Sequence, residues 1–367
     1  MLPQMFTEAV ATAQNSANQD YPRFAQLMTD VGYDWEAVKV TTDDDYILTT
    51  FHILGKTGEA RNTTSAGSVL IQHGDQEDGT SWMSNYHNSG NTSFHLQLVD
   101  AGYDVWIGNN RGTMYSWGHK TYDAATDNEY WNWTWADMGV YDDRANITAI
   151  KAATGEDKIF YIGYSQGTGQ MHYGLTHDDN GYYGENLHKI VHMAPCFVMN
   201  APDAMKLYYT ETVAKMESKG FYSINGPNWD TELPQICDEF GKVICEYFTH
   251  ITGSQGQSVK SEQYWIMNGL EDRFQEFEDN WPKTKETDLI DVSKINTVPM
   301  GFFIGSRDNV CPRAQAESHI SQITAETEIV NVEGEGHMYF ASRACDDWFM
   351  SRLLDMLVVP SAAEFLQ

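Results

Sequence analysis

Positive charge is scarce in this chain. Lysine and arginine together number 23, against 52 aspartates and glutamates, and the formal net charge is −29. Nucleic acids and anionic membrane surfaces are bound through clustered cations, so the composition argues against both partner classes. No apolar run approaches the ~20 residues that a membrane-spanning helix needs. The opening stretch, MLPQMFTEAVATAQN, lacks a charged n-region and a long apolar core and does not read as a signal peptide. The expectation is an intracellular protein or a mature chain whose leader has been removed. The five cysteines are Cys196, Cys237, Cys245, Cys311 and Cys345; no C-x-x-C spacing occurs, which gives zinc ligation little support. Repeats and low-complexity tracts are also missing.

What is present fits a globular protein: 41% apolar and 13% aromatic residues in a length suited to one large domain with an insertion, or to two domains. Two environments tolerate so acidic a surface. High salt screens its self-repulsion, and pH 4–5 partly protonates its carboxylates.

Short apolar runs ending in glycine or polar residues predict buried strands at 68–74, 103–112, 158–165, 189–195, 298–308 and 327–334. Helical stretches, such as 91–101, 135–153 and 166–177, fall between most of them. This alternation predicts an α/β fold: a mostly parallel central sheet with helices on both faces. Ahead of it, 38–53 reads as two antiparallel strands joined by the acidic turn Asp43-Asp44-Asp45. The alternation breaks between about 196 and 290, where helix-like patterning and many aromatics occur without a clear strand. The expected plan is a core of 1–195 and 291–367 interrupted by a mainly helical cap, 196–290. The aromatic content of the cap suits a lipid-facing cover and an ordinary core equally.

Between two glycines, in Gly163-Tyr164-Ser165-Gln166-Gly167, stands a serine. Such a pentapeptide arises by chance in roughly one chain in ten of this composition, so its context has to decide. Ser165 follows the strand KIFYIGY and precedes a helix, the setting of a nucleophile elbow. A serine hydroxyl needs a base, and the order Ser…Asp/Glu…His points down the chain. Asp308 ends the strand beginning at Val298, and His337 follows the next strand. His337 is then general base and acid, and Asp308 orients it. The oxyanion hole is expected from the backbone N–H of Gln166 and, in the loop His73-Gly74-Asp75, of Asp75. His73 precedes the serine and reads as a loop-orienting residue. His172, about two helical turns beyond Ser165, reads as packing.

These stretches together resemble the acid lipases of the gastric and lysosomal type, within the α/β-hydrolase fold. LIQHGDQEDGTSWMSN is similar to the family's oxyanion segment, AGYDVWIGNNRG to its next strand and Arg-Gly turn, and EYWNWTWADMGVYDDRANI to its aromatic-rich segment. IGYSQGT is similar to the elbow, IGSRDNVCP and GHMYF to the acid and base segments, and GYDWEAVKVTTDDDYILTTFHI to the opening hairpin. The similarity covers nearly all of the chain outside the cap. It implies an esterase acting on lipid esters such as acylglycerols or sterol esters, with no cofactor and no metal, and with a lid over an apolar cleft. It maps Ser165, Asp308, His337 and the Gln166 and Asp75 amides onto the family's functional positions. It also places Cys237 and Cys245 where the family carries a cap disulfide, a bond that could add ~2–3 kcal/mol. The bland reading of the other three cysteines is buried free thiols.

Departures are equally visible. Asp75 and Gln76 replace apolar residues after the His-Gly of the oxyanion loop. Tyr164 stands where histidine is usual, and Gly336 where asparagine is. Glu333 and Glu335 lie near His337, and Thr113, Met114 and Tyr115 alter the turn after Arg111. If Asp75 or Glu335 faces the site, activity is expected to rise below neutral pH. Two other readings are carried: a non-catalytic binding or structural protein on the same fold, and a thioesterase, acyltransferase or peptidase on the same triad. Four N-x-[ST] sequons, at Asn62, Asn91, Asn132 and Asn146, are glycosylation candidates. With the cysteine pair and the resemblance, they favour a secreted or lysosomal (or phagosomal) compartment over an intracellular one. The partner implied is a lipid ester, met through transient contact with a lipid interface. The sequence leaves the oligomeric state open.

Overall fold

The computed structural model describes residues 20–59, 66–83, 93–200, 208, 212–251, 255–278 and 288–358. Helix α1 (Pro22–Val31) ends at Gly32, whose left-handed φ of 77° lets its N–H close on Met28 O. It leads into the antiparallel pair β1 (Tyr33–Thr41) and β2 (Tyr46–Lys56), longer at both ends than the hairpin expected over 38–53. Next come β3 (Ser68–Gln72), α2 (Phe94–Asp100), β4 (Asp104–Ile107) and the two-residue β5 (Gly118–His119). A π-type turn at Met138–Asp142 feeds α3 (Asp143–Thr154). Then follow β6 (Ile159–Tyr164), α4 (Gln166–Thr176) and β7 (Leu187–Met193). The strand order is β1-β2-β4-β3-β6-β7, continuing through β10 (Met300–Gly305) to β11 (Thr327–Val332), with β5 paired to β2. From β4 to β11 every pairing is parallel; β2 meets β4 antiparallel.

Burial on both faces explains why the central strands read as continuous apolar runs. In β6 every residue is buried. Phe160 and Ile162 face one layer with Val69 and Ile71, against Phe24 and Met28 of α1 and Leu96 of α2. Tyr161 and Leu70 face the other, against Ile147 and Ile150 of α3 and Met171 of α4. The second layer also receives Ile320 of α8 (Arg313–Ile320), and the first receives Phe349 and Leu353 of α9 (Asp347–Met356). Truncating one of these side chains to alanine costs about 2–5 kcal/mol.

Between β7 and β10 the chain forms α5 (Trp229–Phe240), α6 (Lys242–Ile251) and α7 (Val259–Glu271). These helices share a separate apolar cluster containing Phe221, Trp229, Ile236, Phe248, Val259 and Ile266. Several aromatics of 196–290 therefore form the core of this stretch. Contrary to the strandless expectation, this stretch holds a two-stranded pair, β8 (Ser223–Ile224) with β9 (Gln257–Ser258). Two-residue strands leave no periodicity to read.

Two disulfides are present. Cys237–Cys245 joins α5 to α6 with its Cα atoms 4.5 Å apart, as the resemblance implied. Cys196–Cys311 corrects the free-thiol reading for those two residues; Cys345 is buried outside any disulfide, its Sγ donating to Arg343 O at 3.4 Å. Asn146 is also corrected as a glycosylation candidate. It is fully buried on α3, with its Oδ1 accepting from Thr50 Oγ1 at 2.5 Å, so its amide is out of reach in the folded protein. Asn132 is exposed, and Asn62 and Asn91 lie outside the described residues. Among the described residues no helix is long and apolar enough to cross a membrane.

Candidate active site

Ser165 stands between β6 and α4 with φ 50° and ψ −116°, a left-handed conformation for a residue with a side chain. The two flanking glycines make that turn possible by close approach. A Cβ on Gly163 would lie 2.6 Å from Gly167 O, and one on Gly167 would lie 2.7 Å from Gln72 O. Ser165 N–H donates to Met193 O at 3.1 Å, which seats the elbow against the end of β7. The side chain thus emerges at the C-terminal rim of the sheet and at the N-terminus of α4, where the helix dipole favours negative charge.

At the same rim the structure brings together the other two expected residues, from 143 and 172 positions down the chain. His337 Nε2 is 2.8 Å from Ser165 Oγ, and His337 Nδ1 is 2.7 Å from Asp308 Oδ2. The second carboxylate oxygen, Asp308 Oδ1, accepts the amides of Val310 (3.0 Å) and Cys311 (2.8 Å). With both oxygens committed, the carboxylate is locked in one orientation. Exposures of 8% for Ser165, 7% for Asp308 and 6% for His337 mean that little water competes for these bonds. Tyr164, replacing the usual histidine of the elbow, donates its hydroxyl to His337 O at 3.3 Å.

The loop His73-Gly74-Asp75, expected to supply an oxyanion donor, lies directly against the serine: a Cβ on Gly74 would be 3.1 Å from Ser165 Cβ. His73 holds this loop. Its Nδ1–H donates to Gly74 O at 2.8 Å and its Nε2 accepts the Asn110 amide at 3.1 Å, so the ring is neutral and structural. Burial keeps it so, pushing its pKa down. His172 is likewise structural, bonded to His319 and His192 at 3.1 and 3.0 Å.

Asp75 and Gln166 meet through a residue that the sequence did not signal. The side-chain amide of Gln257, in β9, donates both to Asp75 Oδ1 and to Gln166 Oε1, the latter at 3.0 Å. Trp265 Nε1 adds a second bond to Gln166 Oε1, at 2.8 Å. Burial pushes the Asp75 carboxyl up to about 6, against the lowering effect of its bond to Gln257. Its neighbours Glu77 and Glu262 are pushed up to about 7 and about 8, chiefly by burial and further by their acidic neighbours. Glu77 Oε2 takes the Gly74 amide at 3.1 Å. Glu335, the other acidic residue suspected of facing the site, pairs with Arg343 instead. Glu333 pairs with Arg313 at 3.3 Å.

Fold and rim geometry define the class: the chain has the α/β-hydrolase fold. The family description "alpha/beta hydrolase fold" matches residues 68–213, and "Partial alpha/beta-hydrolase lipase region" matches residues 24–86. Within that class its sequence relatives are lipases. Human lipase member M is 38% identical over 148 residues, 40% of this chain and 34% of that protein. Rat gastric triacylglycerol lipase is 37% identical over 145 residues, 39% of this chain and 35% of that protein. The Caenorhabditis elegans lipase lipl-1 is 32% identical over 241 residues, 64% of this chain and 58% of that protein. The matches thus span between about a third and somewhat over half of these relatives' length. Among solved structures, an esterase from Exiguobacterium antarcticum superposes with a TM-score of 0.50 at 16% identity, covering 87% of this chain and 98% of that one. DcsB, solved with a substrate analogue, gives 0.55 at 9% identity, covering 89% and 99%. Likeness at such identities speaks to the fold alone.

Proposed function

We propose that this protein is a serine hydrolase that cleaves carboxylic esters of lipids, acylglycerols or sterol esters, through an acyl-enzyme on Ser165. The observation that carries this reading is the unbroken pair of bonds Ser165 Oγ–His337 Nε2 and His337 Nδ1–Asp308 Oδ2. In the first step His337 takes the hydroxyl proton as Oγ attacks the ester carbonyl. Asp308 stabilises the imidazolium. The oxyanion is met by the backbone N–H groups of Gln166 and Asp75 and by the α4 dipole. As the tetrahedral intermediate collapses, His337 returns the proton to the departing alcohol. Water, deprotonated by His337, then attacks the acyl-enzyme and releases the carboxylic acid.

The lipid substrate is supported by the named activities of the relatives, which are lipases. Residues 196–290 serve in this reading as a cap over a core made of 1–195 and 291–367. The protein meets its substrate at a lipid interface, and works in a secreted or lysosomal-type compartment. The two disulfides support that location, since such bonds persist where the environment is oxidising.

A fluorophosphonate probe tests the chemistry and an acyl-length series of esters tests the substrate. Labelling at Ser165, lost in Ser165→Ala, with hydrolysis of long-chain esters is the expected result. Folded protein that neither labels nor hydrolyses is a non-catalytic member of the fold. Preference for thioesters or peptides assigns the triad to another acyl chemistry.

A further inference from the structure

We infer that the Cys196–Cys311 disulfide is a positioning element for the acid of the triad, so that turnover depends on this bond being intact. The inference rests on the hydrolase reading above. Cys311 has two roles at once. Its amide is one of the two that hold Asp308 Oδ1, at 2.8 Å, and its sulfur is half of the bond. Cys196 lies beside the elbow. Its amide donates to Thr168 Oγ1 at 2.8 Å, and Thr168 Oγ1 donates to Ser165 O at 2.6 Å. The chain of contacts therefore closes on itself: Ser165 to Thr168 to Cys196, across the sulfurs to Cys311, then Asp308, His337 and back to Ser165 Oγ.

The sheet explains why a covalent tie has leverage here. Strands β7 and β10 pair only from Ile190 with Met300 to Met193 with Phe303, and a last amide bond runs from Ala194 N to Phe303 O at 3.0 Å. Beyond that point the two chains leave the ladder, one toward Cys196 and the other toward Asp308. The disulfide continues their pairing past the end of the sheet, between residues 115 positions apart. Weaker ties run in parallel. Asn200 donates its amide to Val310 O at 2.7 Å and its Nδ2 to Asn309 O at 3.1 Å. These keep the acid turn near the elbow when the sulfur bond is cut, so the loss is graded. Misplacing a reacting group by about 1 Å costs up to roughly a hundredfold in rate.

The experiment compares the wild type, the Cys196→Ala/Cys311→Ala variant and, as a control in the cap, Cys237→Ala/Cys245→Ala. A non-reducing peptide map establishes the 196–311 linkage. Hydrolysis kinetics and the rate of fluorophosphonate labelling are read well below each protein's melting temperature. The expected result is a kcat lowered by about tenfold to a hundredfold in the first variant, with KM within about twofold, slower labelling, and no such loss in the control. Dithiothreitol should reproduce the loss in the wild type. It delivers two electrons and two protons, cleaves the S–S bond to two thiols and itself closes to a cyclic disulfide; reoxidation should restore kcat. This treatment also covers the case in which the double variant does not fold. An unchanged kcat with only a lowered melting temperature makes the bond merely structural and overturns the inference, as does a peptide map without the linkage. A wild type that neither hydrolyses nor labels overturns the hydrolase reading, and this inference with it.

Discussion

Ser165 keeps its hydroxyl at the rim by holding a backbone conformation that costs on the order of 1–3 kcal/mol in a residue with a side chain. The cost is local, so it can be removed. Ser165→Gly should melt at a higher temperature than wild type while hydrolysis falls by roughly 10⁴-fold or more, read by calorimetry and by ester turnover. A lower melting temperature would mean that the elbow is not strained. Asp75 poses a different question. Its carboxyl is pushed up to about 6 by burial, and Glu77 and Glu262 are the other acids nearby. Below that pH it is neutral and does not oppose an oxyanion forming beside it; above it, a negative charge does. Turnover should therefore gain as pH falls through about 6. Asp75→Asn, which keeps the shape, should match wild type near pH 5 and exceed it near pH 8 by several-fold. Superimposable kcat profiles would show that the carboxyl takes no part.

Arg111 shows how one element end fixes several others. The guanidinium, 1% exposed, bonds Asp142 through Nε (2.9 Å) and Nη2 (2.6 Å) and Asp44 through both terminal nitrogens, and stacks 3.9 Å from the Tyr46 ring. It ties the β1–β2 turn, the loop after β4 and the π-type turn before α3. Arg111→Met leaves Asp142 buried without its counter-charge and should cost about 3–5 kcal/mol in denaturant unfolding. A change under ~1 kcal/mol would refute that role. The same arginine explains where the strand ends. The apolar run predicts one strand over 103–112, yet β4 stops at Ile107. Asn109 turns to Thr49 O and the Gly79 amide, and Arg111 turns to its carboxylates. These long-range partners outweigh local propensity. The central strands, the elbow and the triad were legible because burial on two faces and a strand–turn–helix order leave marks on neighbouring residues. Gln257, Thr168 and the Cys196–Cys311 pair were not, because each acts across a distance set only by how the chain packs.

For the molecule as a whole, two sets of buried groups pull stability in opposite directions. Burial lowers the pKa of His73 and His172, and brings His95, His192 and His319 down to about 3. The unfolded chain binds those protons first, so their contribution is lost as pH falls below about 6.5. Asp75, Glu77 and Glu262 are raised, as burial also raises Asp142, Asp143 and Glu232, so the folded chain holds these protons longer and stability declines as pH rises toward about 8. Above about pH 6.5 these histidines are neutral in both states, and the raised carboxyls set the slope. The melting temperature should therefore fall between about pH 6.5 and 8; a flat or rising curve over that range would contradict this assignment.

The segment 255–258 bears on how anything enters. A Cβ on Gly256 would lie 2.2 Å from Gly112 O, so two backbones touch there. Beside that contact Gln255 N–H bonds Gln76 O at 2.9 Å, and the Gln255 and Gln257 side chains grip Met114 N and the oxyanion loop. This margin is riveted to the body of the molecule, like the hinge side of a door. In the proposed reading, an ester reaches Ser165 by a route other than this margin.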